Sequence, residues 1–379
     1  MQYRQRSFKI LIFAIPILIL LALFVAHSTA FTCWDFRNNL WGPAYLLTQN
    51  QSPYRVDQLF ELGRAVWMPM VIGVFFPLGF LPLQQASNLW FVFNLIWFLL
   101  IIWISSGSLR PRPVLFSVAL LLSLIFPPSV THFWSGQVSI LITLALLAVV
   151  LWSDKISIGL LAILITISLS KPQLAVLVLP GFIMDTMKKD GAQKSVHLLL
   201  YLMGCTLFFM VPLFVAYTDW FPDFIWSLQQ NPSWAQPSTL HFLRTVIPNG
   251  GEAIWILLAI LLFVLNMRLW ATLPKQDAIY WSLALTPLMT PYIWTWDFVM
   301  LLPLFISFLF KAKTKISLGV LLGGYLLTWG LIMSLKNQGE VNESLFWWVP
   351  WMWIMFIIGA IWLENRFGVR ANHLSRFTP

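Results

Sequence analysis

Apolar residues fill this chain in long runs, and polar or charged residues are confined to the breaks between them. Phe8–Phe31 is the clearest case, because it exceeds the roughly 20 apolar residues that cross a bilayer core. A backbone inside such a span has no water to bond to and must satisfy itself as a helix. Applied along the chain, the same reading predicts an all-α, polytopic transmembrane protein of about 12 spans. They fall at 8–31, 85–105, 114–130, 136–152, 156–170, 172–184, 196–217, 252–270, 278–294, 297–310, 316–334 and 345–363. A further apolar stretch, 68–83, is short and carries Pro69, Pro77 and Pro82, so it reads as a re-entrant or juxtamembrane helix. Phe8–Phe31 is expected to stay in the protein as its first span, being too long for a typical signal-peptide core. The whole of 1–379 then forms one transmembrane domain, with long outer loops at 32–84 and 218–251.

Composition agrees with the pattern. The chain is 59% hydrophobic and 10% charged, against about 25% charged residues in soluble domains. A net charge of +9 does not point to nucleic acid, because its placement is a topology signal. With the N-terminus inside, Arg4, Arg6, Lys9, Arg110, Arg112, Lys155, Lys188, Lys189, Lys194, Arg268, Lys275, Lys311, Lys313, Lys315, Arg366, Arg370 and Arg376 fall in inner tails and loops. Far fewer basic residues fall outside, as the positive-inside rule requires. If 68–83 crossed, every later loop would change sides and the rule would break. Both termini are therefore expected in the cytoplasm of a multi-pass cell-membrane protein, with function on the outer face, where the long Trp-, Pro-, Asn- and Gln-bearing segments lie. No tandem repeat or heptad run is visible, and Cys33 and Cys205 are not expected to pair.

Five short stretches carry candidate chemistry. Asp35 follows the first span between Trp34 and Phe36, where partial desolvation tends to raise a carboxylate towards base-competent values; alternatively it is an interfacial acid paired with Arg37. Tyr54, Arg55, Asp57, Glu61 and Arg64 suggest a short surface helix over Val56–Val66. His132 precedes Ser135-Gly136-Gln137, where a helix start offers backbone N–H groups and an amide to an anion or hydroxyl; a solvated interfacial histidine is the plainer reading. Lys171 stands between two apolar runs beside Pro172, and a charge in such a place is a functional candidate by default. The competing reading is a lysine snorkelling from a helix end. Finally, Trp296 and Asp297 sit between the ninth and tenth spans, where an aromatic-flanked acid can meet sugar hydroxyls or move a proton.

The order of these pieces resembles the GT-C glycosyltransferases, and within them glycosyltransferase family 87, which includes polyprenyl-phosphate-mannose-dependent mannosyltransferases. The resemblance rests on Asp35, Gln51-Ser52-Pro53-Tyr54, Met68-Pro69 to Pro77-Leu78, Ser135-Gly136-Gln137-Val138, Ser170-Lys171-Pro172 and Thr290-Pro291 to Trp294. It implies a polyprenyl-phosphate sugar as donor and a lipid or glycan as acceptor. It also implies Asp35 as the general base for an inverting transfer. Lys171 and Gln137, with Arg37 or His132, would face the phosphate, and Trp296 the sugar or prenyl chain. No Asp-x-Asp pair stands at Asp35, since Arg37 takes the third position, so neither a divalent metal nor a cofactor is expected. A secondary transporter and a non-enzymatic polyprenyl-lipid-handling protein are the rival classes. Transporters place ionisable residues near the bilayer midplane, whereas here they gather at the outer rim. Three geometric expectations follow: Asp35, Gln137 and Lys171 converge on one cavity, 68–83 does not cross, and 218–251 borders that cavity.

Overall fold

A computed structural model describes residues 33–60, 65–107, 113–230, 235–336 and 342–374, together with Leu18, Ile19 and Ala22. Most of the predicted first span, Glu61 and Arg64, and the basic residues Arg110 and Arg112 lie outside the described residues. Among the described residues the secondary structure is helical, with no strand.

A π-helical segment, Phe36–Trp41, runs directly into α1 (Gly42–Thr48). After it come α2 (Pro69–Phe75), continued by a 3-10 turn at Phe76–Phe80, and the long α3 (Leu83–Ser105). α4 (Pro113–Ile125) and α5 (Pro127–Ser135) form a bent pair, followed by α6 (Ser139–Trp152), α7 (Ile158–Ser168) and the single turn α8 (Pro172–Ala175). Proline opens α2, α5 and α8, where its fixed φ suits the first turn and its missing N–H costs nothing.

The second half holds α9 (Val178–Ala216), α10 (Trp220–Gln229), α11 (Thr239–Val246), α12 (Gly251–Thr272) and α13 (Lys275–Met289). A 3-10 segment, Thr295–Leu301, leads into α14 (Leu302–Lys311), and α15 (Lys315–Lys336) and α16 (Val349–Leu374) close the fold side by side.

Five described helices are long and apolar enough to cross a membrane: Leu83–Ser105, Val178–Ala216, Gly251–Thr272, Lys315–Lys336 and Glu343–Phe367. The α4–α5 pair, bent by 62°, makes a sixth if it counts as one broken span. The sequence expectation of about 12 separate spans is therefore not reproduced, for two physical reasons. Several apolar runs fold as half-length helices, such as the 14 residues of α6 and 11 of α7, which at 1.5 Å per residue fall short of the roughly 30 Å core. The sixth and seventh predicted spans also merge into α9, which is broken only at Gly191, with φ 77°. Residues Pro69–Phe80 are likewise too short an apolar helix to cross, and α2 packs against α9.

The half-length helices sit at the centre. α6 buries most of its length in the main core, which also takes in α13 and α14. α6 and α13 each run between two polar ends. At one end lie Ser139 and Thr290; at the other, the Lys275 ammonium meets Asp154 at 3.2 Å and Asp185 at 3.3 Å, and Lys311 pairs with Asp277. A second, smaller core joins Leu46, Leu47, Tyr54 and Val56 to Leu213 of α9 and Trp220 of α10. No disulfide joins Cys33 and Cys205.

Candidate active site

The Ser139–Thr290 end of the bundle opens into a cavity of about 640 Å³, within the size range of small-molecule sites. Asp35, Gln137 and Lys171, predicted apart in sequence, all line it. Trp34, Trp67, Tyr292, Trp294 and Trp296 supply aromatic wall, and Leu228 of α10 brings the second outer loop to its edge.

Asp35 heads the π-helical segment, so Asp35, Asn38 and Asn39 share one face. All three line the cavity, and the Asn39 amide donates to Asp35 Oδ1 at 3.0 Å. What lets this segment approach Gln137 is Gly136. It caps α5 with φ 71°, the left-handed region that favours glycine. A Cβ there would stand 2.7 Å from Phe36 Cβ and 3.0 Å from Cys33 Cβ. The Trp90 indole donates to the Gly136 carbonyl at 2.8 Å, tying α3 to the same turn. Burial pushes the Asp35 carboxyl above the usual carboxylate range; the Gln137 side chain, the Lys171 charge and Asn39 pull it back only in part.

Lys171 caps α8, where Pro172 ends the preceding chain direction. Its ammonium donates to Gln137 Oε1 at 2.9 Å and to Asp297 Oδ1 at 3.0 Å, and lies 5.2 Å from the centre of the Trp67 ring. Both partners of the Lys171–Asp297 ion pair are buried, with side-chain exposures of 8% and 1%. Removing one partner of such a pair strands the other charge and costs about 3–5 kcal/mol. The two residues therefore depend on each other for their position.

The remaining sequence candidates separate into those at the wall and those behind it. Trp296 lines the cavity and stacks on Trp294, with ring centres 5.1 Å apart. Asp297 does not line it: its Oδ1 also accepts the Ser139 hydroxyl, and its Oδ2 accepts the Trp294 N–H at 3.1 Å. The expected direct contact of Asp297 with sugar is corrected on that ground. His132 is fully buried rather than solvated, with Nε2 3.1 Å from Asn94 Oδ1.

The backbone N–H groups of Gly136 and Gln137 are not open to an anion, because both donate to the His132 carbonyl. Gly136 ends α5 instead of starting the next helix, which removes the predicted helix-start site. Arg37 lies beside the wall, not in it: its guanidinium is held between the Trp34 and Phe60 rings, 4.7 and 4.3 Å away. The pairing of Arg37 with Asp35 is replaced by a bond from Arg37 Nε to Asn38 Oδ1 at 2.9 Å. Tyr54 belongs to the second core against Phe224, away from the cavity-lining residues.

Sequence reasoning passed over Asn38, Asn39, Trp67 and Ser139. Asn39 was recoverable, since it stands one helical turn after Asp35. Ser139 was recoverable only in part: it lies two residues after Gln137, but its partner Asp297 is remote in sequence. Asn38 Nδ2 and Trp296 Nε1 are buried and lack a hydrogen-bond partner among the described residues.

Comparison with known proteins places this arrangement in context. The model of glycosyltransferase family 87 matches residues 66–291, more than half of the chain. No curated protein and no solved structure matches the chain. The matched segment carries Trp67, Gln137 and Lys171; Asp35 reaches the cavity from the chain before it, and Asp297, from the chain after it, reaches Lys171 behind the wall.

Proposed function

The chain belongs to glycosyltransferase family 87, and from that premise we propose that it is an inverting membrane glycosyltransferase using a polyprenyl-phosphate sugar donor at the extracytoplasmic face. The observation that carries the proposal is that Asp35 and Lys171, of opposite charge, are the charged side chains lining the cavity among the described residues. In this reading Asp35 takes the proton from an acceptor hydroxyl as that oxygen attacks the anomeric carbon. The bond from the anomeric carbon to the phosphate oxygen breaks, configuration inverts, and polyprenyl phosphate leaves. Lys171 meets the charge that develops on the departing phosphate, the kind of preorganised stabilisation that dominates many transfers. Gln137 and Asn39 hold the two charged groups apart and oriented.

Charge supports a donor with one phosphate. The cavity offers one ammonium, itself paired with Asp297, which suits a singly charged phosphodiester better than a pyrophosphate. The aromatic wall suits the apolar face of a hexose, mannose in the best-known family case. Topology supports the outer face, because Lys275, Lys311 and their acidic partners gather at the end of α13 away from the cavity. The acceptor in this reading is a lipid or glycan hydroxyl, and no divalent metal takes part.

The test is sugar transfer in native membranes from radiolabelled polyprenyl-phosphate mannose, polyprenyl-phosphate glucose, a polyprenyl-pyrophosphate sugar and a nucleotide sugar, each with and without a chelator. Transfer from a monophosphate donor, undiminished by chelator, is the expected result. Transfer only from a pyrophosphate or nucleotide donor, or only with added metal, contradicts it. Uptake of free sugar into vesicles without transfer favours the transporter class.

A further inference from the structure

The segment after Thr290 alternates. Tyr292, Trp294 and Trp296 line the cavity, while Ile293, Thr295 and Asp297 turn into the protein and are buried. The buried side is anchored twice. The Thr295 hydroxyl donates to Glu343 Oε2 at 2.6 Å, and the Asp297 carboxylate takes the Ser139 hydroxyl, the Trp294 N–H and the Lys171 ammonium. Asp297 thus has both oxygens engaged and no side-chain atom at the cavity wall. Lys171 does have a place there. Of the three hydrogens on its ammonium, two go to Gln137 and Asp297, and among the described residues no acceptor takes the third.

We propose that Asp297 is a positioning residue for the transfer: from behind the wall it holds the Lys171 ammonium against the cavity, with one N–H left for the phosphate of the donor. The proposal rests on the glycosyl-transfer reading above and assigns to Asp297 a role that does not touch substrate. Holding the cation matters because Lys171 stands on a long flexible stem beside a single-turn helix. Without a fixed carboxylate the ammonium is free to follow Gln137 or the Trp67 face, and a displacement of about 1 Å of a catalytic group can cost on the order of 100-fold in rate. Ser139, at the first position of α6, and the N–H of Trp294, which caps the Thr295–Leu301 segment, hold Asp297 in turn, so the anchor is tied to a buried helix as well as to the segment that carries it.

The test compares wild type with Asp297→Asn and Asp297→Glu on two independent readouts. The first is the steady-state kinetics of sugar transfer from polyprenyl-phosphate mannose. The second is reductive methylation of Lys171, followed by mass spectrometry, which reads how firmly its ammonium is held. Asp297→Asn is expected to keep a cooperative melt, to lower kcat about 10–100-fold with the acceptor KM little changed, and to label Lys171 faster. Asp297→Glu is expected to recover part of the rate.

A pH profile adds a readout that a merely structural role would not move. Asp35 faces the charges of Lys171 and Asp297, the amides of Gln137 and Asn39, the Cys33 thiol and the Tyr292 hydroxyl. Asp297 is the charge among them that raises the Asp35 carboxyl by repulsion, so Asp297→Asn should move the acid limb of the profile to lower pH. If Asp297→Asn fails to fold, Ser139→Ala removes one support of the same carboxylate and is expected to give a smaller loss in kcat and a smaller gain in labelling. Wild-type kcat in a folded Asp297→Asn, or a loss of kcat with Lys171 labelling unchanged, overturns the proposal. If wild type transfers from no polyprenyl-phosphate donor, the transfer reading fails by itself. The labelling comparison then decides the anchor: faster labelling in Asp297→Asn upholds it, equal labelling refutes it.

Discussion

The two polar ends of α6 and α13 use the same lysine–aspartate chemistry in opposite surroundings. At the cavity end, Lys171 and Asp297 are buried, and every oxygen of the carboxylate has a donor. At the other end, Lys275 bridges Asp154 and Asp185 with Asp154 mostly exposed, 66% of its side chain, and Lys311 meets Asp277 at the surface. Solvent screens the Lys275–Asp154 and Lys311–Asp277 pairs, worth about 0–1 kcal/mol each, whereas Lys275–Asp185 is partly enclosed. The buried pair has no water to fall back on, so each partner is worth far more as a support than as an attraction. The difference separates a solvent-screened charge arrangement at one end from a buried, mutually dependent pair behind the cavity at the other.

Several substitutions should sharpen or break that contrast. The largest effect is expected from Asp35→Asn, which leaves the volume of the cavity unchanged and removes the base. Transfer should fall about 100- to 10,000-fold with an unaltered melting curve; a loss below tenfold would break the assignment. Lys171→Met should come next, lowering transfer and also stability by about 3–5 kcal/mol, because Asp297 is left buried and unpaired. A melt equal to wild type would show that the pair is not tightly packed in solution.

Gly136→Ala should destabilise by about 1–3 kcal/mol through its positive φ, with added strain where the new Cβ meets Phe36 and Cys33, and should lower transfer by displacing Asp35. Lys275→Ala, at the other end, is expected to cost less stability than Lys171→Met, because Asp154 stays solvated and Asp185 keeps Lys189 as a partner, and to leave transfer intact. A large loss there would erase the contrast between the ends.

The pH dependence has a definite sign. The Asp35 carboxyl lies above its ordinary value because it is buried, and it must be ionised to accept a proton. Transfer should therefore rise with pH through an acid limb lying above that of a solvated aspartate, near pH 3.9, and be lost as pH falls through it. A profile of kcat/KM that stays flat down to about pH 4 contradicts the assignment.

Much of the site was legible in the order of its motifs, and for identifiable reasons. Lys171-Pro172 announces both a charge in an apolar context and the break that turns it towards the cavity. Asp35 between aromatics announces partial desolvation. What stayed hidden depends on which way a segment faces. Gly136 looks like a helix start, yet its left-handed φ makes it a stop and sends its N–H to His132. Trp294, Trp296 and Asp297 look alike as outer-rim residues, and only tertiary packing turns the rings to the cavity and the carboxylate to Ser139. The count of about 12 spans is not confirmed where short apolar helices bury themselves in protein, since composition does not distinguish a lipid-facing run from one enclosed by its neighbours.

The central claim is that the Asp35–Lys171 cavity carries out glycosyl transfer while the opposite charged end does not. The most direct measurement is the initial rate of sugar transfer from a polyprenyl-phosphate donor by wild type, Asp35→Asn and Lys275→Ala, in matched membranes and at equal protein levels. The account predicts full rate for wild type and Lys275→Ala, with Asp35→Asn reduced at least about 100-fold. Equal rates for Asp35→Asn and wild type would contradict it.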